Sequence, residues 1–136
     1  MDNQVAGSCL CGKVSSTITG DFQRFYQCFC SRCQKKTGSA FASLIFTSPE
    51  SIKWHSGKKL IKRFDLPNAI RFSNCFCTGC GSQVPYLSRD GVFLVIPAGY
   101  LEGNPQIIPQ ASIFWDERPC WFDDGKVADT FSRYSE

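Results

Sequence analysis

The apolar positions along this chain fall in short alternating runs that predict β-strands. Residues 13–19 alternate polar with apolar or β-branched side chains and end at Gly20-Asp21, a pattern typical of a strand followed by a turn. Residues 48–51 predict a turn with a cap for a short helical piece. Comparable runs separated by turn residues predict further strands at 22–29, 40–47, 52–54, 60–64, 70–72, 84–87 and 92–96.

This pattern determines the expected fold class. No stretch carries apolar residues at a sustained spacing of 3.6, so little helix is expected. Many short strands joined by Gly and Pro turns are typical of an all-β protein, here a β-sandwich of short antiparallel strands or a partly open barrel. A chain of 136 residues with 12 Phe, 3 Trp and 4 Tyr has enough apolar material for one domain spanning residues 1–136.

Charge and targeting patterns narrow the class of protein. The net charge of +3 is too small for the basic surface expected of a nucleic-acid-binding protein, but it is compatible with small anionic ligands. No apolar run is long enough to span a membrane, and residues 1–7 lack the basic and apolar parts of a secretory signal. We therefore expect a cytoplasmic protein whose thiols are kept reduced.

The clustering of the cysteines is the strongest chemical signal in the sequence. Eight of the nine cysteines lie in three groups, at 9 and 11, at 28, 30 and 33, and at 75, 77 and 80. Grouped thiols in a reducing compartment indicate metal binding or catalysis. The alternative is a disulfide framework or a set of inert buried thiols, which the odd total and the closely spaced pairs disfavour.

Two of these groups share the form Cys-Phe-Cys-x-x-Cys, at 28–33 and 75–80. A Cys-x-Cys pair on a strand places both sulfur atoms on one face, and the third cysteine can then turn back to the same metal. By chemistry alone, either block has the thiols needed to complete a site with Cys9 and Cys11.

The residues around each block distinguish the two. Gly79 and Gly81 make the second block a tight knuckle, in which backbone N–H groups can approach the sulfur atoms of a closed structural site. The first block has cationic neighbours, which lower thiol pKa values and attract anions; the alternative interpretation is a solvated basic face. These neighbours are Arg32, Lys35 and Lys36.

Three motifs together resemble those of the glutathione-dependent formaldehyde-activating enzyme family, which includes relatives of centromere protein V. Their order and internal spacings match over nearly the whole chain. The motifs are Gly7-Ser8-Cys9-x-Cys11-Gly12, Cys28-x-Cys30-x-x-Cys33-x-Lys35-x-Thr37-Gly38-Ser39 and Phe76-Cys77-x-x-Cys80-Gly81-Ser82.

The resemblance implies a zinc-stabilised fold of two packed β-sheets and two zinc sites. It implies a structural zinc bound by four cysteines, and a second zinc bound by three cysteines that keeps an open position. The residues concerned are Cys9, Cys11, Cys77 and Cys80 for the structural zinc, and Cys28, Cys30 and Cys33 for the second zinc.

The resemblance also implies an activity. The protein would be a carbon–sulfur lyase that promotes addition of the thiol of glutathione, its cosubstrate, to formaldehyde, and its partners would be a small-molecule thiol and an aldehyde. The carboxylates of glutathione would lie near Arg32, Lys35 or Lys36. Two alternatives belong to other classes: a non-catalytic zinc-binding interaction module, and a thiol redox enzyme resembling methionine-R-sulfoxide reductase that uses Cys75 or Cys120.

The chain departs from the family pattern at four places. Cys75 and Cys120 have no counterpart in the motifs, and a spare thiol is the simpler interpretation of each. Ser112-Ile113-Phe114 stands where relatives often have a histidine before an aromatic segment. The sole histidine, His55, lies outside every motif and is interpreted as a turn residue.

Overall fold

The computed structural model describes residues 4–135, which form ten strands, two short α-helices and several single 3₁₀ turns. The strands are β1 (Gln4–Ser8), β2 (Ser15–Thr19), β3 (Arg24–Cys28), β4 (Ala42–Thr47), β5 (Ile52–Ser56), β6 (Ile61–Asp65), β7 (Ser73–Cys77), β8 (Tyr86–Leu87), β9 (Leu94–Pro97) and β10 (Ala111–Ile113). The helices are α1 (Ser31–Thr37) and α2 (Cys120–Gly125). Neither helix is long and apolar enough to cross a membrane.

The strands form sheets in the orders β1-β2-β5, β10-β3-β4-β9-β8 and β6-β7. Every pairing is antiparallel except that of β10 with β3, where Ile113 lies opposite Cys28. The N–H of Phe29 continues this contact and donates to the carbonyl of Ile113 at 2.9 Å. The parallel pairing therefore brings the chain that follows residue 113 next to the first cysteine block.

Alternation along β4 separates two packed regions. Ile45 packs in the main core with Ile18 of β2 and Ile96 of β9, between the three-stranded and five-stranded sheets. Leu44 points to the opposite face, where it packs with Cys28 and Cys33. The result confirms a β-sandwich, and it places the first cysteine block on the outer face of the five-stranded sheet.

A close approach at Gly7 joins the two sheets. A Cβ atom on Gly7 would overlap the ring of Tyr100, so only glycine fits beside this buried side chain. The hydroxyl of Tyr100 forms a hydrogen bond with the hydroxyl of Ser16 on β2 at 2.7 Å. This contact holds β1 and β2 against the turn that follows β9, so the glycine in the first motif has a packing role.

The predicted strands at 13–19, 40–47, 52–54, 60–64, 84–87 and 92–96 all correspond to observed strands with shifted ends, and residues 49–51 form the expected helical turn. The strand predicted to run from residues 70–72 into the second cysteine block is observed as β7, but it begins only at Ser73. The predicted strand at 22–29 ends at Cys28, and the residues that follow begin α1 instead of continuing as strand and polar loop. Strands β1 and β10 and both helices were not predicted.

Candidate metal centres

The first centre contains four cysteines from distant parts of the chain. The sulfur atoms of Cys9, Cys11, Cys77 and Cys80 all lie within 4.8 Å of one another. Cys11 Sγ is 3.5 Å from Cys9 Sγ and 3.9 Å from Cys77 Sγ. A tetrahedral zinc with Zn–S bonds of about 2.3 Å requires sulfur separations of about 3.8 Å. The four thiols therefore fit a closed tetrahedral metal site, which we call the four-cysteine centre.

Backbone amides support the four-cysteine centre. The N–H of Val14 donates to Cys9 Sγ, and the N–H of Gly79 donates to Cys77 Sγ, both at 3.3 Å. Gly81 has φ +78°, a left-handed conformation that favours glycine. These contacts agree with the tight knuckle predicted for this block, because N–H groups stabilise the thiolate form that binds a metal.

Ser82 contributes a polar contact at the same centre. Its hydroxyl accepts a hydrogen bond from the N–H of Leu10 at 2.9 Å and lies 3.3 Å from Cys80 Sγ. Hydrogen bonds from the side chain and backbone of Ser82, followed by the backbone of Cys11, lower the pKa of Cys80 to about 5. Cys80 is therefore a thiolate at neutral pH, as a metal ligand must be.

The second centre lies where β3 meets α1. Cys28 is the last residue of β3, Cys30 is the N-cap of α1, and Cys33 lies in the first turn of α1. Their three sulfur atoms lie within 4.8 Å of one another, and no fourth His, Cys, Asp or Glu of residues 4–135 belongs to this group. We call this group the three-cysteine centre.

Cys30 reaches the group in a way that the sequence did not predict. A strand would have placed Cys28 and Cys30 on one face, but the chain leaves the strand after Cys28. The side chain of Cys30 instead caps α1 by accepting the N–H of Cys33 at 3.3 Å. Cys28 and Cys33 are each only 5% exposed, whereas Cys30 is half-buried. Access to the three-cysteine centre from solvent is therefore on the side of Cys30.

The three thiols share their protons unequally. A hydrogen bond from the thiol of Cys33 lowers the pKa of Cys28 to about 6, and the positive charge of Lys36 acts in the same direction. The same hydrogen bond, together with burial, raises the pKa of Cys33 above its ordinary value. These contacts therefore favour the thiolate form at Cys28 and the protonated form at Cys33.

The structure divides the three cations expected to contact substrate. Arg32 and Lys35 are exposed on α1. Lys36 follows Cys33 by three residues and therefore lies on the same side of α1. Its ammonium lies 5.3 Å from the ring centre of Phe72 and 5.4 Å from that of Tyr86. Burial lowers the pKa of Lys36, while the neighbouring thiolates oppose that shift. Of these three cations, Lys36 is therefore an internal charge beside the thiols, whereas Arg32 and Lys35 lie on the surface.

The fold also supplies polar residues that sequence reasoning missed. No acidic residue adjoins Cys28–Cys33 in the sequence, but Glu117 reaches this block from the chain after β10. Its Oε1 accepts the N–H of Ser31 at 3.0 Å. The side chain of Gln34 also lies here and donates to the carbonyls of Phe29 and Glu117. Nothing local in the sequence indicates these contacts, because they depend on the parallel pairing of β10 with β3.

The remaining cysteines and the histidine lie outside both centres. Cys75 is 4% exposed in β7, and burial raises its pKa, which disfavours a reactive thiolate at this position. Cys120 is exposed at the start of α2. His55 Nε2 forms a hydrogen bond with Thr17 Oγ1 at 2.7 Å on the surface of the three-stranded sheet. His55 belongs to β5, so its interpretation as a turn residue is wrong in conformation.

The fold and the two centres define a class of protein: a small β-sandwich with one closed and one open group of thiols that could each hold a metal ion. The family described as "Glutathione-dependent formaldehyde-activating enzyme" matches residues 4–117, and the chain belongs to this family. This match confirms the resemblance that the three motifs indicate.

Comparison with solved structures supports the fold. A crystal structure of a protein from Rhodobacter sphaeroides superposes with a TM-score of 0.61 at 18% sequence identity. The similarity covers 79% of this chain and 97% of the other. No curated protein sequence matches this chain. The structural similarity shows a shared architecture, and the family match carries the functional argument.

Proposed function

We propose that this protein is a zinc-dependent carbon–sulfur lyase that promotes addition of the thiol of glutathione to formaldehyde. The observation that carries the proposal is the three-cysteine centre, which has three sulfur donors, no fourth donor among residues 4–135, and solvent access beside Cys30. Family membership supports the same chemistry, since the family is described by this activity.

The residues present fit zinc at both centres. The four-cysteine centre would hold a structural ion through Cys9, Cys11, Cys77 and Cys80. Cys28, Cys30 and Cys33 would hold the second ion. Zinc bound by three thiolates supplies a Lewis acid with a free position, which lowers the pKa of an incoming thiol toward neutrality. That chemistry would explain why the site needs no histidine as a base.

The protein residues have separate tasks in this proposal. Arg32 and Lys35 are exposed on the helix that carries Cys33 and would attract the carboxylates of glutathione. Lys36 would offset the negative charge that three thiolates concentrate on the inner side of α1. The buried positions of Cys28 and Cys33 restrict approach of the substrate thiol to the side of Cys30.

The reaction balances without a further reactant. The glutathione thiolate forms a bond from sulfur to the carbonyl carbon of formaldehyde, and the electron pair of the C=O π bond moves to oxygen. The resulting alkoxide takes a proton from water. The thiol released one proton to the solvent when it ionised, so the number of protons balances. The product is S-hydroxymethylglutathione, and the reverse reaction cleaves the carbon–sulfur bond.

The direct test combines metal analysis with a rate measurement. We expect protein prepared without chelator to contain two zinc ions per chain. We also expect it to accelerate formation of the glutathione–formaldehyde adduct, followed by NMR, over a protein-free control. A rate equal to that control in protein with two zinc ions would overturn the lyase proposal and favour a non-catalytic zinc-binding module.

The surface cations give a separate prediction. Replacing Arg32 and Lys35 together with alanine is expected to raise the KM for glutathione by up to about thirtyfold, because exposed charge pairs contribute up to about 1 kcal/mol each. We expect kcat to change little, since these side chains are exposed on the outer side of the helix.

A charge-matched control separates this effect from the general field of the protein. Lys58 and Lys59 are also exposed and adjacent in space, on the turn before β6. Their double alanine variant loses the same charge and should keep the wild-type KM. Equal changes in KM for both double variants would show that Arg32 and Lys35 have no specific role.

A further inference from the structure

The segment 114–118 lies against the turn that carries the three-cysteine centre. Glu117 Oε1 accepts the N–H of Ser31, the residue directly after Cys30, at 3.0 Å. Ser31 begins α1, and the first N–H groups of a helix have no partner within the helix. Two residues further along the same turn, the N–H of Cys33 donates to Cys30 Sγ at 3.3 Å. The two hydrogen bonds therefore fix the backbone that follows the half-buried Cys30, up to Cys33.

Gln34 joins this segment to both ends of the turn. Its Nε2 donates to the carbonyl of Phe29 at 2.8 Å and to the carbonyl of Glu117 at 3.0 Å. The backbone N–H of Gln34 donates to the carbonyl of Cys30 at 3.0 Å. One side chain thus connects the residue before Cys30, the helix that carries Cys33, and the segment 114–118.

The segment 114–118 is itself held in place by packing. Trp115 meets the buried ring of Phe29 edge to face, with ring centres 5.1 Å apart. The guanidinium of Arg118 lies 4.2 Å from the ring centre of Trp115, and its Nη1 donates to the carbonyl of Trp115. The carboxylate of Glu117 is therefore presented from a fixed backbone, although the side chain itself is exposed.

We propose that Glu117 and Gln34 are positioning residues that hold the turn of Cys28, Cys30 and Cys33 in the geometry needed to bind metal. This inference rests on the proposed function, because it concerns the same open site. Partners that orient metal ligands through hydrogen bonds commonly change metal affinity by roughly 10- to 100-fold when they are removed. Neither residue contacts the reacting atoms in this proposal.

Zinc affinity at the three-cysteine centre tests the inference directly. In competition with a chromophoric chelator, the zinc affinity of this centre should be roughly 10- to 100-fold lower in Glu117→Ala than in wild type. Glu117→Gln loses the charge but keeps an oxygen that accepts the Ser31 N–H, so its affinity should be close to wild type. Gln34→Leu should lower the zinc affinity of this centre as Glu117→Ala does. The four-cysteine centre in the same molecule is an internal control and should be unchanged in all variants.

Asp116 offers a matched control for charge. It is the exposed neighbour of Glu117, and Asp116→Ala removes one negative charge without removing a contact to Ser31. We expect this variant to bind zinc as wild type does. Equal affinities in Glu117→Ala and Asp116→Ala would overturn the positioning role, as would a failure of Glu117→Gln to restore affinity.

Amide hydrogen exchange keeps this inference separable from the proposed function. If wild-type protein binds only one zinc ion, the lyase proposal loses its basis, but the positioning role still predicts faster exchange at Ser31 and Cys33 in Glu117→Ala. Glu117→Gln and Asp116→Ala should keep the slow exchange. Unchanged exchange rates in Glu117→Ala would overturn the inference, whatever the metal content.

Discussion

Replacing Cys77 with serine is expected to lower the free energy of unfolding by several kcal/mol and to remove most of the zinc dependence of stability. Structural zinc contributes on the order of 10 kcal/mol in small peptides, and a whole domain is stable by only about 5–15 kcal/mol. Cys77 is fully buried, and its centre joins the loop after β1 to the end of β7. Loss of one ligand should therefore remove a large share of the stability.

The chain provides a close control for this substitution. Cys75 lies two residues earlier on β7, on the same face, and is 4% exposed, but it belongs to neither thiol group. Cys75→Ser also places a hydroxyl in the main core, at a cost of about 1–3 kcal/mol if it finds no partner. The difference between the two variants isolates the contribution of the metal.

Urea unfolding with and without added zinc measures this difference. We expect wild type and Cys75→Ser to gain stability with zinc, and Cys77→Ser to gain much less. Removal of zinc by a strong chelator should lower the free energy of unfolding of wild type toward that of Cys77→Ser. Equal losses in the two serine variants, with equal responses to zinc, would contradict a structural metal at the four-cysteine centre.

The grouping of the thiols could be anticipated from the sequence because it depends on short-range spacing. Cys75 and Cys77 show the expected strand alternation, with both side chains buried and Phe76 between them on the other face. Gly79 and Gly81 mark the turn that returns Cys80 to the same centre. In this block, local pattern and tertiary structure agree.

The first block shows where local pattern was insufficient. Helix α1 has one buried residue, Cys33, so its sequence has no apolar periodicity that would indicate a helix. Its start depends on Cys30, which is not a usual N-cap residue, and its end on Gly38 in the left-handed conformation. The three thiols still converge, because one helical turn brings Cys33 back to the N-cap.

Long-range contacts were beyond sequence reasoning for a different physical reason. Strand β10 has three residues and pairs in parallel with β3. Its residue Ser112 lies opposite Gln27, which is 85 positions earlier in the chain. So short an edge strand has almost no pattern of its own. The contacts of Glu117 and Trp115 with the three-cysteine turn all follow from that pairing, which explains why they were missed.

Replacing Phe29 with alanine is the second substitution with a large expected effect. Phe29 is fully buried, and its ring centre lies 4.9 Å from those of Phe41 and Phe122 and 5.1 Å from that of Trp115. Truncation of a buried phenylalanine commonly costs about 3–5 kcal/mol, because it leaves a cavity. We expect a loss in this range, accompanied by weaker metal binding at the three-cysteine centre.

Phe76 is the matched control, since it occupies the same position in the other Cys-Phe-Cys block. Its side chain is half-buried on the opposite face of β7 from both cysteines. Phe76→Ala should cost only about 1 kcal/mol, roughly half the transfer free energy of a fully buried ring. It should leave zinc at both centres.

Two measurements on the pair of variants separate packing from metal binding. At saturating zinc, the Tm of Phe29→Ala should lie well below that of Phe76→Ala. Zinc analysis should show that Phe29→Ala loses zinc selectively from the three-cysteine centre. The reason for selectivity is structural: Phe29 lies between two ligands of one centre and contacts the segment that carries Glu117, while the four-cysteine centre uses β7 and the loop after β1. Retention of full zinc affinity in a destabilised Phe29→Ala variant would show that the aromatic cluster stabilises the fold without shaping the site.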